Sequence, residues 1–373
     1  MASSSSSARI RPTPVLSSTL VYLTFSHDGS CIIAADSSAV HWLCYKSFRL
    51  RGLYQERDAG TKIVAACGDM LDEKASTCAV VTRVAAASSQ DTFVVRRWKP
   101  GYMNYHWRYD ERVIQIEAGA AVRAVHVHGD RTVVVHDGRV DVYGPDTDGG
   151  VLHRVETRGG KPICAVSRDG PLAFACAGAE VGEAHVERWL CDGEFAPLSF
   201  AAHSSRLECV AMSWDGRLVA TASFKGTMAV TANGDMLRRG ADRAKINSMA
   251  FSPDSKWLAV SSDKGTIHIF HVAVDLSSLV LKGKHDPDNQ DVNQGSRYFV
   301  PGFVPEYFRQ ECSLAKFRLR EGKKYLVTFS QEPNIILIIG IDGSFYRVKF
   351  DPVNAGEMEQ LECINFMKIK LGS

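Results

Sequence analysis

LECVAMSWDGRLVATASFKGTMAV (207–230) and INSMAFSPDSKWLAVSSDKGTIHIF (246–270) are two copies of one pattern. Each runs through an alternating apolar strand, a polar turn, a second apolar strand ending in small residues, a tight turn and a third strand. In the clearer copy the strands are expected at Ser248–Phe251, Trp257–Ser262 and Thr266–Phe270. Asp254-Ser255 and Lys264-Gly265 then fall in the turns, where such residues supply the backbone conformations required. The first turn serves as a ruler. Matching positions are Asp28-Gly29, Asp72-Glu73, Gly129-Asp130, Asp169-Gly170, Asp215-Gly216, Asp254-Ser255 and Glu321-Gly322. From Asp130 onward the steps are 39, 46, 39 and 67 residues, against about 40–45 for four-stranded propeller blades. Seven markers predict seven blades, with one long insertion in the sixth. A lone four-stranded sheet cannot bury both of its faces, so the blades must close into a ring. The expected fold is all-β, a single seven-bladed β-propeller of WD-repeat type over residues 18–355. A disordered Ser-rich tail is expected at 1–17 and a C-terminal tail at 356–373. The Trp-Asp dipeptide that marks blade ends is absent, because Trp214-Asp215 lies in a first turn.

Composition excludes several function classes. The chain has 44 basic and 42 acidic residues, a net charge of +2, which does not suit a protein that coats nucleic acid by bulk charge. A local basic pocket remains compatible with that balance. Ten cysteines are scattered singly between Cys31 and Cys363 without a C-x-x-C pair, and read as small buried hydrophobes of a reducing compartment. No run approaches the ~18 apolar residues of a membrane-spanning helix. His126 and His128 share one strand face, but no carboxylate or cysteine completes a metal set beside them or beside His136. No nucleophile elbow, dinucleotide fingerprint or paired-carboxylate arrangement is readable, so no enzyme, cofactor or metal is expected.

The stretch that carries chemistry is Leu237-Arg238-Arg239-Gly240, which ends one repeat and leads into the next. Adjacent residues of a strand point to opposite sides, so one arginine pair can furnish two anion pockets, one on each flank. Arginine suits phosphate because its planar fork donates two parallel hydrogen bonds. A bare Arg-Arg pair also fits a solvated turn, and its company decides between the two. L-R-R-G followed by A-x-I-x-S-x-A-F-S-x-D-S-x-W-L-A-V-S-S-D-K-G-T-I-H-I-F resembles the signature of the PROPPINs, the phosphoinositide-binding propellers of the autophagy machinery. Residues 237–270 match almost without a break, and weaker similarity extends over roughly 18–350.

The resemblance implies two lipid sites on the edge of the ring. The first would use Arg238 with His203, Ser223 and Thr227; the second would use Arg239 with Ser261, Ser262, Lys264, Thr266 and His268. Hydroxyls, a lysine and a histidine around an arginine make a cradle of directed donors for phosphate in any case. The resemblance also implies that the insertion of blade 6, roughly Asp275–Ser313, contacts membranes. Its aromatic stretch R-Y-F-V-P-G-F-V-P-E-Y-F-R holds Tyr298, Phe299, Phe303 and Val304 between Arg297 and Arg309, a composition suited to a bilayer interface. Part of that stretch, Pro305–Phe317, equally suits packing against the ring.

Two departures from the family pattern stand out. Between Gly226-Thr227 and Arg238 only ten residues intervene, fewer than a complete third strand, turn and fourth strand ordinarily need, which threatens the position of Arg238. Phe224 stands where a small polar or acidic residue is more usual. The function expected is a peripheral membrane protein, monomeric in solution, that recognises phosphatidylinositol 3-phosphate and phosphatidylinositol 3,5-bisphosphate. It would recruit autophagy proteins to preautophagosomal, endosomal or vacuolar membranes from the cytoplasm, with no nucleic-acid partner. The alternative is a propeller scaffold that has lost lipid affinity through the shortened blade 5.

Overall fold

The most apolar runs of the repeats, Cys31–Ala35, Ala173–Ala177, Leu218–Ser223 and Ile335–Gly340, are buried at every position. A strand is buried on both faces only when a layer covers each side, and here the layers are neighbouring sheets. The structure is a computed structural model. It describes residues 19–369 except 57, 59, 69–77, 85–91, 99–111, 119, 145–149, 158–160, 191–192, 227, 233–234, 240–243 and 273–312.

Among the described residues there are seven sheets, six four-stranded and one five-stranded. Blade 1 holds β1 (Tyr22–Phe25), β2 (Cys31–Ala35), β3 (Ala39–Cys44) and β4 (Leu50–Gln55). Blade 2 holds β5 (Thr61–Gly68), β6 (Cys78–Val84), β7 (Thr92–Trp98) and β8 (Arg112–Ala118). Blade 3 follows with β9 (Val122–His128), β10 (Arg131–His136), β11 (Arg139–Tyr143) and β12 (Val151–Glu156). In blade 4 they are β13 (Cys164–Val166), β14 (Ala173–Ala177), β15 (Glu183–Trp189) and β16 (Phe195–Ala201). Blade 5 comprises β17 (Leu207–Met212), β18 (Leu218–Ser223), β19 (Met228–Ala232) and β20 (Asp235–Arg239). Blade 6 has β21 (Ile246–Phe251), β22 (Trp257–Ser262), β23 (Thr266–His271) and β24 (Ala315–Arg318), with β28 (Gly356–Glu357) added in parallel to β24. Blade 7 consists of β25 (Tyr325–Phe329), β26 (Ile335–Gly340), β27 (Ser344–Lys349) and β29 (Glu359–Asn365).

Strand alternation builds the ring. On β22, Leu258 and Val260 pack toward blade 5, whereas Ala259 between them packs toward blade 7. On β2, Ile33 and Ala35 meet Ile63 and Val80 of blade 2, and Ile32 and Ala34 meet Leu337 and Ile339 of blade 7. Every junction between consecutive blades has such a core, and the one between blades 7 and 1 closes the circle. That closing seam is made by side chains. Phe48 meets Phe345 edge to face at 5.1 Å, and the Tyr45 hydroxyl lies 2.9 Å from Ser330 Oγ. Among the described residues blade 1 and blade 7 exchange no strand.

The first turns share a device. Ser26, Ser213 and Ser252 each donate to an aspartate two residues on (Asp28, Asp215, Asp254) and accept the amide that opens the second strand. Ser167 accepts the Ala173 amide in the same way.

Three expectations need correction. Glu321-Gly322 is not the first turn of blade 7, because it lies between β24 and β25 and joins two blades. The true turn runs from Ser330 to Asn334, with Asn334 at φ 61°. Residues 356–365 are not a tail: β29 pairs with β27 as the outer strand of blade 7. Blade 5 loses no strand to its shortening. β19 and β20 have five residues each with two between them, and they pair from Met228↔Arg239 to Ala232↔Asp235 without a register shift. The 1–17 tail lies outside the described residues. So does nearly all of the insertion, which joins β23 to its pairing partner β24.

Candidate functional site

The two arginines occupy different cross-strand rows of blade 5. Arg238 pairs with Ala229, and Ala229 with Thr221. Arg239 pairs with Met228, and Met228 with Ala222. Residues opposite one another on antiparallel strands share a face of the sheet. Ala222 packs into the core between blades 5 and 6. Thr221 alternates with it and lies in step with Val219, which packs toward blade 4. The register therefore leads one arginine row to the blade 4 junction and the other to the blade 6 junction.

At the blade 4 junction the core is built of alanines, with Ala177, Ala184 and Ala202 against Leu207, and these small side chains leave room for polar ones. His203 enters on the connection from β16 to β17, its backbone amide donating to Gly182 O at 3.0 Å. Gly182 has φ +82°, and a Cβ there would stand 1.9 Å from His203 O, so this approach requires glycine. The ring then places Nε2 3.0 Å from Thr221 Oγ1. Ser223, two residues along the same face, is buried at the end of β18. The structure thus brings His203 and Ser223 to one junction, while Thr227 lies outside the described residues. Thr221 was missed by motif reading, although the alternation in Thr221-Ala222-Ser223 carries the signal.

A charged group next to this junction had no sequence signal. Buried Glu208 on β17 binds Arg206, Nε to Oε1 at 2.9 Å, and also Lys161 from the connection between blades 3 and 4. The Arg206 guanidinium carbon sits 4.8 Å over the Phe224 ring.

On blade 6, His268 pairs with Val260, which faces blade 5, so His268 belongs to that face. Its ring lies near-parallel to that of Phe270, 5.9 Å away, and Nδ1 is 2.9 Å from Ser313 Oγ. Ser313, at the end of the insertion, is a further partner that the sequence did not single out. Ser262 alternates in step with Val260, and Thr266 with His268, so both join the same face. Ser261 does not. It is fully buried and donates to Tyr325 O at 2.7 Å, inside the junction with blade 7. Lys264 is exposed on the turn and donates to Glu321 at 3.3 Å, an ion pair in water that holds its ammonium only weakly.

The histidines of blade 3 have a structural explanation. His27, from the first turn of blade 1, lies against Val166 O of blade 4 (Nε2 at 3.2 Å). His126 is held neutral chiefly by burial and secondarily by His27, its pKa lowered to about 4. His128 is lowered for the same two reasons. Among the described residues no group of three histidine, cysteine or acidic side chains could hold a metal. A histidine whose folded pKa is depressed stabilises the fold above its unfolded pKa of about 6.5. That stability is lost as pH falls toward 4, where the unfolded chain binds the extra proton. His126 alone should account for up to about 3 kcal/mol of acid destabilisation across that window. Urea unfolding of His126→Asn should show a flatter pH dependence than the parent between pH 6.5 and 4; parallel curves would refute this assignment.

Comparisons with known proteins place this geometry. The model described as BCAS3, WD40 repeat matches residues 235–299, and the WD domain, G-beta repeat model matches 197–230. Autophagy-related protein 18e of Arabidopsis thaliana is 36% identical over 219 residues, 56% of this chain and 54% of that protein. SVP1-like protein 2 of Neurospora crassa is 38% identical over 165 residues, 42% of this chain and 37% of that protein. The structure of Kluyveromyces lactis Hsv2 with complete loop 6CD covers 94% of this chain and 100% of its own, with TM-score 0.67 at 18% identity.

The chain is similar to autophagy-related protein 18e and SVP1-like protein 2 over about half its length, and it shares the propeller fold of Hsv2.

The chain spans about half or less of the length of these curated relatives. The solved structures, at their low identity, speak to fold, and they include a complex of KlAtg21 with the coiled-coil of AgAtg16 at TM-score 0.68 and 19% identity, covering 93% of this chain and 99% of that one. No helix among the described residues is long and apolar enough to cross a membrane.

Proposed function

We propose that this chain is a phosphoinositide-binding, non-enzymatic propeller of autophagy. It would recognise phosphatidylinositol 3-phosphate and phosphatidylinositol 3,5-bisphosphate on preautophagosomal and endosomal or vacuolar membranes and recruit other proteins there. The observation that carries the reading is the split of Arg238 and Arg239 into two rows, one leading to the His203–Thr221 pair and the other toward blade 6, where His268 lies. Each pocket pairs an arginine with a histidine and hydroxyls, a donor set suited to a phosphomonoester. The first pocket comprises Arg238, His203, Ser223 and Thr227, with Thr221 orienting the histidine. The second comprises Arg239, Ser262, Lys264, Thr266 and His268, without Ser261.

Exposed pockets of this kind bind weakly and are salt-screened. Two of them on one edge, with Tyr298, Phe299, Phe303 and Val304 of the insertion entering the bilayer beside them, act together through effective concentration. A relative's complex with a coiled coil supports a coiled-coil autophagy protein as partner. Flotation with vesicles carrying each phosphoinositide isomer tests the reading. Selective flotation with the 3-phosphorylated isomers is expected. Flotation with none of them would leave a protein scaffold without lipid affinity.

A further inference from the structure

Phe224 is a phenylalanine left 56% exposed, and neither proposed pocket uses it. Its position is fixed from both sides. The Phe224 amide donates to Arg206 O at 2.9 Å, which ties the turn after β18 to the connection that carries His203. Two residues on, Gly226 has φ +79°, and a Cβ there would stand 2.4 Å from Ala244 O, on the connection that follows Arg239. The Phe224-Lys225 tip therefore sits between the approaches to the two pockets.

One cation lies over the ring and two more lie near it. Arg206 lies over it and remains half exposed, Lys225 is exposed beside it, and Lys161 is half exposed beyond Glu208. Three positive charges against the single negative charge of Glu208 leave a local excess of two (3 − 1 = 2). Water serves the cations but not the phenyl ring; an apolar protein groove serves the ring but not the cations. An anionic bilayer interface serves both, with the ring at headgroup depth and the cations among lipid phosphates.

We propose that Phe224, held beneath Arg206, is a membrane-contact point between the two pockets, and that its partner is the anionic lipid surface itself. The proposal rests on the lipid-binding reading above and adds a contact independent of both the pockets and the blade 6 insertion.

The test uses vesicles of phosphatidylcholine and phosphatidylserine with phosphatidylinositol 3-phosphate, beside a soluble short-chain form of the same headgroup. Phe224→Ser should bind vesicles about tenfold more weakly, the scale of one partly buried aromatic ring. Its binding of the soluble headgroup should equal that of the parent. Phe224→Trp should keep vesicle affinity and add a fluorescence component quenched by lipids brominated near the headgroup. Parental vesicle binding by Phe224→Ser, alongside loss in Arg238→Thr/Arg239→Thr, would overturn the contact and leave the pockets standing. Equal losses on vesicles and soluble headgroup would also overturn it, by placing Phe224 in pocket formation. A parent that binds no vesicle overturns both readings.

Discussion

Arg238→Thr combined with Arg239→Thr is expected to abolish flotation with vesicles carrying phosphatidylinositol 3-phosphate, while the thermal midpoint moves by no more than about 2 °C. Each guanidinium supplies charge-assisted hydrogen bonds worth roughly 1.5–3 kcal/mol apiece. Losing one arginine should cost a pocket between tenfold and a hundredfold, and losing both removes the cooperation between pockets as well. Stability is spared because β20 is the outer strand of blade 5 and threonine suits a strand. The single substitutions should cost about equally. The shortened blade suggested that Arg238 would be the weaker contributor, but β19 and β20 pair in unbroken register through both rows. A double variant that still floats would remove the lipid pockets from the account; one that melts far below the parent would make the arginines structural.

Changing Phe299, Phe303 and Val304 together to serine should weaken vesicle binding at least a hundredfold. Burying one such side chain stabilises by roughly 1.5–3 kcal/mol, so three changes exceed a hundredfold even if burial is partial. Binding to the soluble headgroup should stay at the parental level, because the proposed pockets lie on the flanks of blade 5. Salt separates the two contributions further: the pocket contribution should fade with ionic strength and the aromatic one should not. If the triple variant binds vesicles like its parent, the insertion serves a protein partner or covers the ring, and its membrane role is withdrawn.

The repeat was legible because strand alternation and turn chemistry are both local. The clearer repeat, read as Ser248–Phe251, Trp257–Ser262 and Thr266–Phe270, became β21 to β23 with shifts of no more than two residues at the ends. The seventh marker failed for a physical reason. A Gly with positive φ suits any tight reversal, and Gly322, at +79°, makes one between blades. The serine that opens the turn is more discriminating: Ser330-x-Glu332 has the spacing of Ser26-x-Asp28, although Ser330 accepts the Glu332 amide within the turn. β29 carries little sequence signal because an outer strand is mostly solvated, and no residue of Glu359–Asn365 is fully buried. At the site, Ser261 and Ser262 are chemically identical neighbours. Alternation separates them, yet only the flanking blades decide which one faces the second pocket. The Lys161–Glu208–Arg206 group had no sequence signal at all, since its members meet through the packing of two blade connections.

The seam between blades 7 and 1 has a consequence for how the chain is made. On the ribosome blade 1 appears first, and its flank of Ile32 and Ala34 has no cover until Leu337 and Ile339 have been added, about 300 residues later (337 − 32 = 305). At ordinary translation speeds of about 5–20 residues per second, that interval lasts roughly 15–60 s. During it the nascent protein is an open arc whose leading flank and growing flank are both greasy, a shape able to stack on a second nascent copy. Among the described residues no strand is exchanged across the seam, so packed side chains close the arc. Only the arrival of β26, β27 and Phe366 completes the cover for Ile32, Leu43 and Phe48. Messages truncated before that point should yield chaperone-bound arcs rather than smaller rings.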